Sequence, residues 1–192
     1  MQKPMANWRV LRAALVLLTL VAVAQPPPAS GQAATAALAQ TGYAGSFELT
    51  GLIENPKTFT EPDLMAYPSV TMTASFGAGQ GFQTGRFTGV QLWDLLQEAK
   101  VRLDPSRNND RLRKYVVVTG SDGYEAIFSY AELDPDFGAE VVLVAYARDG
   151  QPLAPNEGMA RTVIGTDKRG GRLVSNVVRI EVRDVDSPPR GR

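Results

Sequence analysis

The 192-residue sequence contains no cysteine and no histidine. Those two absences exclude disulfides, Cys/His zinc sites, His- or Cys-ligated haem and Cys₄ iron–sulfur clusters. They also exclude a Ser-His-Asp triad and a cysteine nucleophile. Acid–base chemistry is left to Asp, Glu, Lys, Tyr or water, and any metal to oxygen or non-protein ligands. An excess of one charge sign is missing as well, with 20 basic and 20 acidic side chains. At 44% hydrophobic and 21% charged residues, the chain has the composition of an ordinary globular domain.

The balance of charge is uneven along the chain. Lys3, Arg9 and Arg12 are the only charged residues before Glu48. Without the first 24 residues, acids outnumber bases, which leaves no electrostatic footprint for nucleic acid or for an anionic membrane. The segment Met1–Ala24 has the plan of a secretory signal: a basic start, the apolar run Ala13–Ala24, and Ala22-Val23-Ala24 as a small-x-small cleavage site. Ala37-Leu38-Ala39 is a second candidate site. The run falls short of the roughly 20 residues that a membrane-spanning helix needs, and Pro26-Pro27-Pro28 follows it. Arg9 and Arg12 are not adjacent, so a twin-arginine signal is absent as numbered. The expectation is export unfolded, signal cleavage, and a periplasmic or secreted protein with no membrane attachment afterwards.

Residues 25–46 carry no charge and are rich in Ala, Pro, Gln and Gly, the composition of a disordered linker. Asp184–Arg192 has the composition of a disordered tail. Between them, 47–183 forms one unit. Phe47–Ile53, Val70–Phe76, Tyr115–Thr119, Tyr124–Tyr130, Val141–Ala147, Arg161–Ile164 and Val174–Val182 have strand patterns. Thr60 caps a short helix that has Pro62 and Asp63 in its first turn. Gly89–Val101 has an amphipathic helical period, and a helical turn begins at Ser129 or Tyr130. Short helices scattered among many strands predict an α+β fold with a mixed sheet.

Four constellations carry possible chemistry. Gly77, Gly79 and Gly81 lie in a glycine-rich stretch, Gly77–Gly85, expected to be a loop. The helix expected at Gly89 starts too late for a dinucleotide fold. Asp122-Gly123-Tyr124 stands at a hairpin turn, where Asp-Gly supplies the backbone conformation needed. Arg161, Lys168, Arg169 and Arg172 cluster among glycines and read either as an anion site or as a solvated loop. Asp134, Asp136 and Asp149 lack the spacing of a calcium loop and read as caps and turns.

Taken in order, several segments carry a family pattern. They are Phe47-x-Leu49-x-Gly51 with Pro56, and Phe87-Thr88-Gly89-Val90-x-Leu92-x-Asp94-Leu95-Leu96. Ser121-Asp122-Gly123-Tyr124 follows, then Asp149-Gly150-x-Pro152-Leu153, Gly158-x-x-Arg161 and Val177-x-x-Ile180. The chain resembles the oxidoreductase molybdopterin-binding domain family, the sulfite-oxidase-like fold, over Phe47–Val182. The resemblance implies a mixed α+β domain that binds a molybdenum–pterin cofactor, with a cysteine thiolate on the metal and backbone and basic groups on the pterin phosphate. It implies oxygen-atom-transfer chemistry.

Where the family carries its cysteine, this chain has Thr73-Ala74-Ser75-Phe76-Gly77, with Ser75 as the nearest counterpart. The family's pterin-contacting histidines are absent. A folded, cofactor-loaded enzyme leaves by the twin-arginine route, which this leader does not display. The expectation is therefore an exported relative without a normal catalytic molybdenum centre. By resemblance, Ser75, Gly77, Gly79, Asp122, Gly123, Tyr124, Arg161, Lys168 and Arg172 line its former cofactor cleft. That cleft would serve a small anionic ligand or an envelope protein partner, with no catalytic residue assigned. The alternatives are an active molybdopterin-dependent oxidoreductase with Ser75 or solvent in place of the thiolate, and an adaptor module of an envelope complex.

Overall fold

Strand alternation and turn chemistry build two sheets with short helices between them. A computed structural model describes residues 42–79 and 81–188. The proposed signal segment and most of the expected linker lie outside the described residues. β1 (Ser46–Gly51) alternates exposed and buried residues and places Phe47 and Leu49 in the core. It pairs antiparallel with β2 (Lys57–Thr60) and parallel with β10 (Val177–Asp184). β5 (Lys114–Gly120) joins β10, and β6 (Glu125–Ser129) joins β5, so the first sheet runs β2-β1-β10-β5-β6. The second sheet runs β3-β4-β7, from β3 (Val70–Ala78), β4 (Gly81–Gln91) and β7 (Val142–Arg148). β8 (Gln151–Pro152) and β9 (Arg161–Ile164) both pair with β7. The expected mixed α+β architecture is present.

The helices fit between and beside these sheets. In α1 (Glu61–Met65), the Asp63 carboxylate accepts from the Thr60 N–H at 2.8 Å and from its hydroxyl at 2.5 Å, closing the first turn. α2 (Leu92–Ala99) buries Leu92, Leu95, Leu96 and Ala99, and ends where Lys100 turns to φ 53°. α3 (Tyr130–Leu133) follows β6 directly.

Three sequence expectations change. The expected Gly77–Gly85 loop is the end of a long hairpin: β3 and β4 remain paired as far as Ala78 and Gly81. Cross-strand pairing with a hydroxyl-rich face outweighed the glycine content. The expected helix from Gly89 begins only at Leu92, because Gly89, Val90 and Gln91 pair with β7. A side chain at Gly89 would collide with the Val144 carbonyl and stand 2.8 Å from the Ala145 nitrogen, so this close approach requires glycine. The last strand starts at Val177 rather than Val174, after Asn176 adopts φ 51°.

Asn176 ties four segments together. Its side-chain nitrogen donates to the Gly42 carbonyl at 2.7 Å and to the Ser121 hydroxyl at 2.5 Å. Its side-chain oxygen accepts from the Ala44 N–H at 2.7 Å, and its backbone N–H donates to the Glu157 carbonyl. Gly42 and Ala44, which composition assigned to the linker, are thus bonded to the domain.

At the other end of β10, Asp184 does not open a tail. It caps the strand and holds Lys114. The buried Lys114 ammonium lies 2.6 Å from Asp184 and 2.8 Å from Asp110. Burial alone pulls Lys114 down, but the hydrogen bonds it donates to the two carboxylates reverse this and leave it above its usual value. The Lys114 ammonium, with the Asp186 N–H, holds Asp184 at about 2, below the ordinary 3.8.

Two outcomes follow from this packing. Gly89→Ala is expected to lower unfolding free energy by about 3 kcal/mol, as for other overpacked core positions, measured by urea titration. A carboxyl whose folded pKa is depressed stabilises the fold above its unfolded pKa and loses that effect as pH falls through the folded value. The urea midpoint should therefore drop between pH 4 and pH 2, and Asp184→Asn should flatten that drop.

Candidate functional site

The nine residues expected to line one cleft are spread over the β3–β4 hairpin, the β5–β6 turn, the start of β9 and the segment 165–172. Alternation along β3 places Phe76 inward and Ser75 outward. The Ser75 hydroxyl is exposed and lies 2.9 Å from the Thr84 hydroxyl on β4. Gly77 gives its N–H to the Lys168 carbonyl at 3.0 Å and forms a parallel bridge with Arg169. Gly79 is in the hairpin turn with open space around it.

Asp122, Gly123 and Tyr124 form the β5–β6 turn. The Asp122 carboxylate accepts from the Tyr124 N–H at 2.9 Å, and Gly123 supplies φ 81°. The Tyr124 hydroxyl reaches the Gly171 carbonyl at 2.5 Å. Tyr124 therefore meets the same 165–172 segment that Gly77 meets from the other sheet.

The cations do not form an open cluster. Arg172 binds Asp167 with two parallel bonds, 3.0 and 2.7 Å, and Glu132 at 2.9 Å. Its guanidinium lies 5.4 Å from the Phe128 ring centre. The Asp167 hydrogen bonds hold Arg172 above its usual pKa, with Asp167 and Glu132 charge adding to the effect. Arg161 is 6% exposed and pairs with Glu157, four residues earlier. Burial pulls Arg161 below its usual value; Glu157 opposes this, and the charge of Arg148 adds to it. Lys168 is exposed, and its backbone carbonyl makes the contact with β3.

The structure thus joins Gly77, Tyr124, Lys168 and Arg172 through one segment. It separates Ser75, on the outer face of the hairpin, from Arg161, which lies against Phe76 and Phe87 on the inner face. Sequence reading missed the carboxylates Glu157, Asp167 and Glu132. The Glu157-x-x-x-Arg161 and Asp167-x-x-x-x-Arg172 spacings were the available signals.

The family resemblance implies a thiolate on molybdenum and basic groups on the pterin phosphate. The sequence has no thiol, and the hydroxyl of Ser75, the counterpart of the family cysteine, is on the exposed face of the hairpin. Arg161 and Arg172 are already neutralised by this chain's own carboxylates. Five surface cavities of about 240 to 330 Å³ lie elsewhere, and none of these five is lined by any of the nine residues. Among the described residues no group of three or more carboxylates is placed to hold a metal. These residues do not fit the cofactor. Asp134, Asp136 and Asp149 do cap and turn: Asp134 accepts from the Asp136 N–H at 2.9 Å, and Asp149 from the Arg86 N–H at 2.8 Å.

If 165–172 is held by charge, Arg172→Met should destabilise the domain by about 1–2 kcal/mol, the range for a half-exposed bidentate pair. Limited proteolysis of that variant should cleave within 165–172 before it cleaves the wild type.

The sequence pattern of the oxidoreductase molybdopterin-binding domain matches residues 43–190. Among curated proteins, the chain is 29% identical over 163 residues to nitrate reductase [NADPH] of Fusarium oxysporum, covering 71% of this chain and 17% of that protein. It is 30% identical over 165 residues to nitrate reductase [NADH] of Volvox carteri, covering 73% and 19%. The chain therefore spans less than one fifth of the length of these relatives. Among solved structures, the sulfane dehydrogenase SoxCD of Paracoccus pantotrophus aligns with a TM-score of 0.59 at 24% identity, over 76% of this chain and 40% of that one. With the segment order of the sequence and the two-sheet fold, the matched span shows that the chain belongs to the oxidoreductase molybdopterin-binding domain family.

Proposed function

We propose that this chain is an exported member of its family that works without a normal catalytic molybdenum centre. In its former cofactor region it binds a small anionic ligand or an envelope protein partner. One observation carries this reading: the two arginines that would cradle an anionic cofactor are each committed to carboxylates of the same chain. A buried charge without a partner costs several kcal/mol, so this compensation is part of the folded state. The outward Ser75 hydroxyl and the lack of thiol support the same conclusion. The N-terminal apolar run supports export in an unfolded form, which a cofactor-coupled fold does not survive.

The relatives' activities stay with those longer proteins, because a shared fold carries no activity by itself. The deciding measurement is molybdenum and pterin content of the full chain purified from its native compartment. The expected result is neither above trace. Stoichiometric molybdenum with pterin would overturn the reading in favour of an oxygen-atom-transfer enzyme.

A further inference from the structure

The outer face of the β3–β4 hairpin carries a regular array of polar groups. Register and alternation set Thr71, Thr73 and Ser75 of β3 opposite Thr88, Arg86 and Thr84 of β4 on that face. Two of these cross-strand pairs are hydroxyl pairs, Thr71–Thr88 and Ser75–Thr84, each 2.9 Å apart. The next pair along the face is Gly77 with Phe82, whose ring is 80% exposed. A side chain at Gly77 would stand 3.7 Å from Arg169 Cδ, so the Arg169 arm lies over Gly77 on this same face. At the opposite end, a surface cavity of about 270 Å³ is lined by Thr71, Arg86, Thr88, Asp149 and Gly150.

Charge on this face is one-sided. No acidic residue occurs between Asp63 and Asp94. Arg86 and Arg169 are exposed, and among the described residues neither guanidinium has an ion-pair partner. Asp149 borders the face, but it lies 3.6 Å from Arg148 and accepts the Arg86 backbone N–H, so its charge is already matched. Arg86 is in register with Thr73, four residues from the Gly77 that Arg169 covers, which sets the two cations about 13 Å apart along the strand. Hydroxyls fill the interval. A nucleic-acid strand carries a phosphate about every 3.4 Å and is held on several stacking rings, so this sparse charge with one ring suits it poorly. A protein interface is centred on aromatic or apolar anchors, whereas the centre of this face is polar. Carboxylates spaced widely among hydroxyls match it.

We propose that this face binds an acidic polysaccharide, a linear glycan that carries carboxylates. Arg86 and Arg169 each take one carboxylate through paired N–H donors. The Thr and Ser hydroxyls both donate to and accept from sugar hydroxyls, and Phe82 covers the C–H face of a ring. The cavity beside Arg86 seats one sugar, with the Asp149 carboxylate as an acceptor. The inference goes beyond the function proposed above: this surface is on the opposite face of the hairpin from the buried Arg161, and it is present whether or not the domain holds a cofactor.

The test titrates the full chain with polygalacturonate and follows backbone amide and arginine Nε–Hε NMR resonances. Shifts should saturate, map to β3, β4 and Arg169, and weaken as salt rises. Arg86→Gln and Arg169→Gln should each lower affinity about tenfold, the loss of one charge-assisted pair of bonds. Arg102→Gln, which alters an exposed arginine beside Leu52, should leave affinity unchanged. Thermal midpoints check that each variant is folded, and the wild-type shift map tests the surface without any substitution. Dextran, a neutral polysaccharide, should bind at least about tenfold more weakly, because neither arginine gains a carboxylate. No saturable shift, shifts centred elsewhere, an equal loss in Arg102→Gln, or dextran binding as tight as polygalacturonate would each overturn the proposal. Tighter binding of polyglutamate or of single-stranded DNA would overturn it too, in favour of an acidic protein or a nucleic acid. None of these outcomes bears on the molybdenum and pterin measurement, and that measurement does not decide this titration.

Discussion

The segment 165–172 bonds to both sheets at once, and the arrangement of everything around it depends on that closure. Its Lys168 carbonyl receives Gly77 from β3, and its Gly171 carbonyl receives Tyr124 from the β5–β6 turn. The Thr162 hydroxyl secures its far end: it donates to the Arg172 carbonyl at 2.8 Å and accepts from the Val174 N–H at 2.7 Å. Gly170 lies so close to Phe76 that a side chain there would stand 3.2 Å from the ring. The same contacts cover part of the β3 edge, which would otherwise offer a row of unpaired backbone groups. A segment this polar cannot be held by apolar burial, so its ion pairs and backbone bonds must do it.

That requirement explains the pattern of charge across the domain. Lys114 is matched by Asp110 and Asp184, Arg172 by Asp167 and Glu132, and Arg161 by Glu157. In each case the cation lies where water is partly or wholly excluded, and removing its partner would leave an uncompensated charge. The exposed pairs, such as Glu48 with Arg179 at 3.8 Å, contribute little by comparison. Charges used this way are withdrawn from ligand binding unless a ligand supplies the same compensation.

Much of this was legible from residues alone. Phe47–Ile53, Tyr115–Thr119 and Val141–Ala147 declared their strands by alternation or by continuous apolar character, and Asp122-Gly123 declared its turn. Gly77–Gly85 was misleading because glycine content reports conformational permission, whereas the cross-strand Thr71–Thr88 and Ser75–Thr84 hydroxyl pairs report pairing. Gly89 was misleading for the opposite reason: its helical period was real, but contact with β7 kept it in the sheet. The site was less legible still. Arg161, Arg172 and Lys168 looked alike as cations among glycines, and only tertiary placement separates a buried pair, a half-buried fork and an exposed side chain. Sequence spacing does not report which carboxylate folds back onto which cation.

Absence of cysteine and histidine takes on a different weight beside this geometry. Taken singly, a missing thiolate removes one ligand and could be met by another donor. Here the nearest donor faces outward, the cations are satisfied from within, and the two sheets are tied together by the chain's own groups. Stability of the domain therefore draws on ion pairs and backbone bonds that the chain supplies itself.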